Sequence, residues 1–208
     1  MYIQITTRCN MHCEHCCYSC GKRGHDMSAE TYAAALAYGD EYLSIGGGEP
    51  TLHPLFWQFL GQAIAAAETV WLATNGSQTE IALALAKLAR KGVIGCALSQ
   101  DCYHDEIDDR VVDAFTREPR PYDYIGRGDA ADGREIRDVT GKEIKAGRCR
   151  HGSDDCPCSD LIVKPDGRVF ACGCKRAPCF GNITGTVTIP DNWEVGECYR
   201  QQSAAQAA

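Results

Sequence analysis

Short apolar or alternating runs and longer stretches with helical spacing succeed one another along most of the chain. Tyr2-Ile3-Gln4-Ile5-Thr6 alternates as a half-buried strand does. Ser28 can cap a helix that runs through an alanine-rich body to about Tyr38. Tyr42 to Ile45 forms a second short strand. Pro54 then suits a first helical turn, and Phe56, Phe59, Leu60, Ala63, Ile64 and Ala67 recur on one face as core packing. Val70 to Ala73 predicts a third strand. Ser77 and Glu80 have the spacing of a capping box ahead of Ile81, Leu85 and Leu88, and Lys87, Arg90, Lys91 and Gly92 close that helix. Val93 to Ser99 predicts a fourth strand, and Asp108 to about Arg117 a helix stopped by Pro119 and Pro121. Tyr122 to Ile125 is a weaker fifth strand, and Ile136 to Val139 a sixth. Strands alternating with helices predict an α/β fold, a parallel barrel or an open part of one.

From Cys149 onward the pattern changes. Leu161 to Val163 and Arg168 to Phe170 form two strands joined by the turn Pro165-Asp166-Gly167. The expected organisation is a barrel over 1–148, a small cysteine-rich β-hairpin extension over 149–200 and a frayed tail over 201–208.

Length and composition limit the function classes. With 208 residues, 44% of them hydrophobic, the chain can bury a core. A formal charge of -7 argues against grip on nucleic acid through bulk electrostatics. Arg134, Arg137, Lys142, Lys145, Arg148 and Arg150 crowd one region, diluted by Glu135, Asp138 and Glu143, and read as a solvated face. No apolar run approaches a bilayer span. The 14 cysteines follow no leader-like segment, which places the thiols in a reducing cytoplasm and makes metal ligation their economical explanation.

Three of those thiols stand in a C-x3-C-x2-C pattern directly after the first strand: Cys9, Cys13 and Cys16. One short loop can thereby hold three irons of a four-iron cluster. Cys13, Cys16, Cys17 and Cys20 also read as overlapping C-x2-C pairs that suit tetrahedral zinc, and the loop alone leaves both open. Gly46-Gly47-Gly48-Glu49-Pro50 follows the second strand, where three glycines allow a ligand close to the main chain. Thr74-Asn75-Gly76 ends the third strand. Ser99-Gln100-Asp101-Cys102-Tyr103-His104 ends the fourth.

These four motifs, in order at successive strand ends, resemble the radical S-adenosylmethionine (radical SAM) enzymes. The resemblance implies an incomplete barrel and a [4Fe-4S] cluster on Cys9, Cys13 and Cys16, whose fourth iron is chelated by SAM. By the same resemblance, Gly46, Gly47, Gly48 and Glu49 bind the SAM amino group, Asn75 lines the cavity, Ser99 contacts SAM, and Asp101 reaches ribose or substrate, with His104 beside it. Arg127, in a Gly-Arg element after the fifth strand, would pair with a carboxylate of SAM or substrate. Cys102 stands near the cavity and could return a hydrogen atom to a product radical. The C-terminal cysteines resemble a short twitch or SPASM extension, in which four of Cys149, Cys156, Cys158, Cys172, Cys174 and Cys179 hold a second [4Fe-4S] cluster; zinc is the alternative. Expected partners are an external one-electron donor such as flavodoxin or ferredoxin and a peptide, amino-acid or small-metabolite substrate, oxidised or rearranged. The alternatives are an isomerase acting on an amino-acid-modified nucleotide or DNA base, and a non-catalytic zinc or iron–sulfur binding module.

Overall fold

The computed structural model describes residues 1–116, 132–152, 160–173 and 177–191. Among them, strands and helices alternate as the periodicity predicts: β1 (Tyr2–Gln4), α1 (Ala29–Ala37), β2 (Tyr42–Gly46), a 3-10 turn at Pro50–Leu52, α2 (Phe56–Ala66), β3 (Thr69–Thr74), α3 (Thr79–Arg90), β4 (Gly95–Ser99) and α4 (Asp109–Phe115). Then come β5 (Arg134–Arg137), β6 (Ile162–Val163), β7 (Arg168–Phe170) and β8 (Cys179–Asn182). The expected strand over Tyr122 to Ile125 lies outside the described residues. The expected strand near Ile136 to Val139 is β5, displaced toward Arg134 because Arg134 to Arg137 take the parallel register with Cys96 to Ser99.

One sheet joins all of these strands in the order β5-β4-β3-β2-β1-β6-β7-β8. Pairing is parallel from β5 through β6 and antiparallel from β6 to β8, which makes the molecule a partial parallel barrel with a hairpin-and-strand addition. The hairpin is thus stitched directly to the central strand: Tyr2 aligns with Ile162 and Ile3 with Val163.

Alternation along β1 decides what each face does. Ile3 and Ile5 are fully buried with Leu43, Ile45, Leu72, Cys96 and Leu98 against the helices. Cys96 is accordingly a small core residue, as its strand position suggests. In this layer the Tyr32 and Phe59 rings stack with centroids 3.9 Å apart, and Tyr32 Oη donates to the Phe59 carbonyl at 2.9 Å. Full burial of such side chains stabilises by about 1.5–3 kcal/mol each. Gln4 points to the other face. There it accepts from Lys164 Nζ at 3.1 Å, while Tyr2 stacks on Tyr18.

Helix starts follow local chemistry. Ser28 Oγ accepts the Thr31 N–H at 3.1 Å, and Asp108 caps α4 by accepting from Arg110 N. The expected capping box at Ser77 does not form. Gln78 occupies the N-cap of α3 without a side-chain hydrogen bond, because Ser77 Oγ is turned to Asn75 Oδ1 at 2.7 Å and Asn10 Oδ1 at 3.3 Å. The serine serves the turn after β3 and the cysteine loop instead of the helix.

Candidate active site

The cysteine loop leaves β1 and returns to it. Cys9 N donates to Gly21 O at 3.0 Å, Gly21 N to Thr7 O at 3.2 Å, and Thr7 N to His25 O at 2.8 Å, so Arg8 to Gly24 close as one pinned loop. Its base is held by Asp26, which accepts from Thr6 Oγ1 at 2.6 Å and pairs with Arg8 at 2.8 Å. Buried Met11 anchors the tip. Cys9, Cys13 and Cys16 are each half-buried and free of disulfides.

The three thiols act on one another electrostatically. Burial raises the Cys9 thiol, with Cys16 adding to the rise. Burial pushes Cys13 up to about 11, with Cys9 and Cys16 adding to it. Cys16 is drawn down to about 5 by a hydrogen bond from Cys20, although burial opposes it. Three half-buried soft donors on one pinned loop are the donor type and number that suit three corners of an iron–sulfur cube. Cys17 and Cys20 lie deeper beside Tyr18, and Cys20 Sγ accepts from Gln4 Nε2 at 3.8 Å.

The glycine run after β2 lies against this loop. Gly48 N donates to Thr6 O and Glu49 N to Arg8 O, both at 2.8 Å, which continues the β1–β2 pairing past the strand ends. A Cβ on Gly48 would stand 2.3 Å from Arg8 O and 2.8 Å from Cys9 Cβ; one on Gly47 would meet Thr6 O at 2.7 Å, and one on Gly46 the Tyr2 hydroxyl at 2.1 Å. Gly46 and Gly47 are small so that β1 and its end can lie against them, and Gly48 so that the start of the cysteine loop can.

Glu49 is fully buried and tied on every side. Its Oε1 accepts from Thr51 Oγ1 at 2.6 Å, Thr74 Oγ1 at 2.8 Å and Thr51 N at 3.2 Å, and its Oε2 accepts from Asn75 N at 2.7 Å. Burial raises its carboxyl above the ordinary value, and those donors offset part of the rise. Asn75 extends the chain of contacts, its Nδ2 donating to Asn10 Oδ1 at 3.1 Å while its Oδ1 accepts from Ser77 N at 3.0 Å. The second, third and first motifs therefore form one hydrogen-bonded unit.

At the end of β4, Ser99 is half-buried in register with Arg137. Asp101 Oδ1 lies 2.7 Å from His104 Nδ1 and accepts from Tyr103 N at 3.0 Å. Among the described residues its Oδ2 is buried without a hydrogen-bond partner, 4.0 Å from His15 Nε2, and His15 Nδ1 likewise has none. His15 stacks obliquely on Tyr103 at 4.6 Å, and Tyr103 Oη donates to Glu143 at 2.6 Å. The cysteine loop thus meets the β4 end through His15 and Asp101. Cys102 is exposed, its Sγ 3.6 Å from Thr140 Oγ1. Arg127 lies outside the described residues.

Of the C-terminal cysteines, Cys156, Cys158 and Cys174 also fall outside the described residues. Cys149 is buried with Sγ donating to His151 O at 2.8 Å, Cys172 is buried, and Cys179 is exposed at the start of β8. The end of β7 packs on the cysteine loop, since a Cβ on Gly173 would touch the Tyr18 hydroxyl at 3.0 Å. The basic run is divided in its use: Arg134 pairs with Asp132 at 2.7 Å, whereas Arg148 turns inward to the cysteine loop. Sequence reasoning missed His15, Tyr103, Glu143 and Arg148. Only His15 carried a signal, its place between Cys13 and Cys16 of the C-x3-C-x2-C pattern.

A parallel half-barrel whose first loop carries three half-buried thiols, with an acid and an asparagine locked behind them, belongs to the α/β class that builds its sites at strand ends. The profile of the radical SAM superfamily matches residues 3–125, and the chain belongs to that superfamily. Membership implies a [4Fe-4S] cluster and S-adenosylmethionine. Two curated relatives are mycofactocin maturases MftC, from Mycobacterium ulcerans (33% identical over 115 residues) and Mycolicibacterium smegmatis (34% over 116). Each match covers 52% of this chain, and the chain spans only about 30% of the relatives' length. Among solved structures, a histidine-tagged anSMEcpe with bound AdoMet aligns over 90% of this chain and 78% of that one, with a TM-score of 0.54 at 17% identity, a likeness of fold. Native anSMEcpe with bound AdoMet and Cp18Cys peptide aligns with a TM-score of 0.51 at 16% identity and the same coverage. No helix among the described residues is long and apolar enough to cross a membrane.

Proposed function

We propose that this chain cleaves S-adenosylmethionine reductively to a 5′-deoxyadenosyl radical that takes a hydrogen atom from a peptide, amino-acid or small-metabolite substrate, ending in oxidation or rearrangement. The observation that carries this reading is the placement of Cys9, Cys13 and Cys16 on one pinned loop hydrogen-bonded to the Glu49–Asn75 unit. When bound, the cluster supplies the electron that splits the sulfonium carbon–sulfur bond, and an external donor such as flavodoxin or ferredoxin replenishes it. The chain's own part is to orient and enclose. The backbone of Gly46 to Gly48, with Glu49 and Asn75, would hold the amino-acid end of SAM, and Arg127 its carboxylate or that of the substrate. Ser99 and Asp101 would hold the ribose side, where Asp101 Oδ2 offers a buried acceptor with no hydrogen-bond donor among the described residues. His104 fixes that carboxylate from its other oxygen. Cys102 is a candidate hydrogen donor; normal turnover by Cys102→Ala removes that role.

A peptide substrate is the reading in keeping with the fold relative that holds AdoMet and a peptide together. A second cluster on four of Cys149, Cys156, Cys158, Cys172, Cys174 and Cys179 would accept electrons in a net oxidation.

Anaerobic reconstitution followed by dithionite and SAM tests the reading. About four irons per chain with 5′-deoxyadenosine formation supports the first site, and about eight supports both. Colourless protein holding zinc, or 5′-deoxyadenosine formed equally by the chain with Cys9, Cys13 and Cys16 changed to alanine, overturns it.

A further inference from the structure

The segment Ala146 to Cys149, far from the cysteine loop in sequence, is fastened to its underside. Arg148 N donates to Cys16 O at 2.9 Å, Arg148 Nε to Cys13 O at 3.0 Å, and Arg148 Nη1 to Cys20 O at 3.0 Å. One residue thereby satisfies three carbonyls of the loop, two of them from residues in the C-x3-C-x2-C pattern. The approach is close enough to demand a glycine beside it: Gly147 adopts φ +59, and a Cβ there would stand 2.1 Å from Cys17 O.

The guanidinium is half-buried and forms no ion pair with a carboxylate among the described residues. Its charge is directed at the carbonyl dipoles of Cys13 and Cys20, with the backbone N–H on that of Cys16. Hydrogen bonds from a charged donor are roughly twice as strong as neutral ones, and a guanidinium keeps its charge at any working pH.

Resting on the reading of Cys9, Cys13 and Cys16 as cluster ligands, we propose that Arg148 is the positioning residue of this site: it clamps the cysteine loop from the C-terminal segment, and its fixed positive charge raises the reduction potential of the cluster the loop holds. Reduction adds one electron, so a cation fixed against the backbone of the ligand loop stabilises the reduced form more than the oxidised form. Cluster potentials respond to net charge in the ligand surroundings, which Arg148 supplies, while its hydrogen bonds hold the backbone of the loop that carries the sulfurs. The clamp also couples the two halves of the chain, because the next residue, Cys149, is a candidate ligand of the second cluster. A shift of that segment would be felt at the first site through the carbonyls of Cys13 and Cys16.

The test is an EPR-monitored redox titration of the anaerobically reconstituted full chain, comparing wild type with Arg148→Gln, Arg148→Lys and, as a charge control, the exposed Lys145→Gln. The expected result is a midpoint lowered in Arg148→Gln by about 59 mV, a tenfold change in the reduction equilibrium of a one-electron couple. Arg148→Lys should stay near wild type, and Lys145→Gln should not move. Equal shifts in the Gln and Lys variants, or a shift in the control as large as that of Arg148→Gln, overturn the proposal. Should Arg148→Gln fail to assemble a cluster, Arg148→Lys decides: a potential near wild type supports the electrostatic role, and one displaced by tenfold or more overturns it. A wild-type chain that assembles no cluster refutes the ligand reading itself, an outcome distinct from a cluster whose potential ignores Arg148.

Discussion

Glu49 Oε2 accepts the backbone N–H of Asn75 at 2.7 Å, so the end of the glycine run and the end of β3 share one buried hydrogen bond. The other carboxylate oxygen accepts from both Thr51 and Thr74, leaving donors on every side of the group. Glu49→Gln puts an amide N–H₂ where an acceptor is required, which leaves at least one buried donor unsatisfied at a cost of about 1–3 kcal/mol. A lower Tm and weaker SAM binding are expected together in a thermal-shift titration; unchanged stability would show that the side chain repacks.

A steric constraint follows from the glycine run. In Gly48→Ala the new methyl carbon would sit 2.3 Å from the Arg8 carbonyl, backbone that cannot swing aside as a side chain tip would. The cysteine loop must then lift from the strand end, spreading the Cys9 sulfur from its partners. Iron incorporation should fall severalfold at nearly wild-type helix content, measured by iron analysis and circular dichroism. Gly61→Ala is the matched control, since nothing lies within 4 Å of a Cβ there.

Both motifs, and the alternation of strands and helices that carries them, were legible because strand ends and periodic apolar faces are local properties of sequence. Three features were not local. β6 is two residues long and finds its partner in β1, some 160 positions away, so its parallel pairing left no mark in the sequence pattern. Ser77 had the spacing of a helix cap, but Asn75 and Asn10 compete for its hydroxyl and win, a contest only the fold sets up. Arg148 looked like one more charge in a solvated run until the chain folded it under the cysteine loop.

At the base of that loop, burial raises the Asp26 carboxyl, but hydrogen bonds from Arg8 and Thr6 together with the Arg8 charge outweigh it and hold the group below its ordinary value. A carboxyl depressed on folding contributes stability that is present above its unfolded value, about 3.9, and is lost as pH falls through the folded value. Because Arg8 and Asp26 are each about one-third exposed, the pair is worth about 0.2–1 kcal/mol after solvent screening. Asp26→Asn should therefore lower stability slightly at pH 7, and its denaturation midpoint should converge with wild type as the pH is taken below the ordinary carboxylate range. A constant difference across that range would assign the effect to the Thr6 hydrogen bond alone.

Stability and binding carry opposite signs at Asp101. Its side chain is wholly buried, with one oxygen serving His104 and Tyr103 and the other facing His15 Nε2 at 4.0 Å without a hydrogen bond among the described residues. A buried acceptor with no donor is destabilising in the ligand-free protein, and such strain is kept where a ligand relieves it. In Asp101→Asn the remaining oxygen still accepts from His104 and Tyr103, while the new amide removes the buried charge and points a donor toward His15. The ligand-free variant should melt at or above the wild-type temperature, with a gain of about 0.5–2 kcal/mol. SAM affinity should fall, because a ligand hydroxyl would meet a donor where the wild type offers an acceptor. Calorimetric titration of SAM into both reconstituted proteins, beside ligand-free melting curves, reads the two signs at once. If Asp101→Asn melts lower and binds SAM as wild type does, the carboxylate is a fold element of the β4 end and has no part in ligand binding.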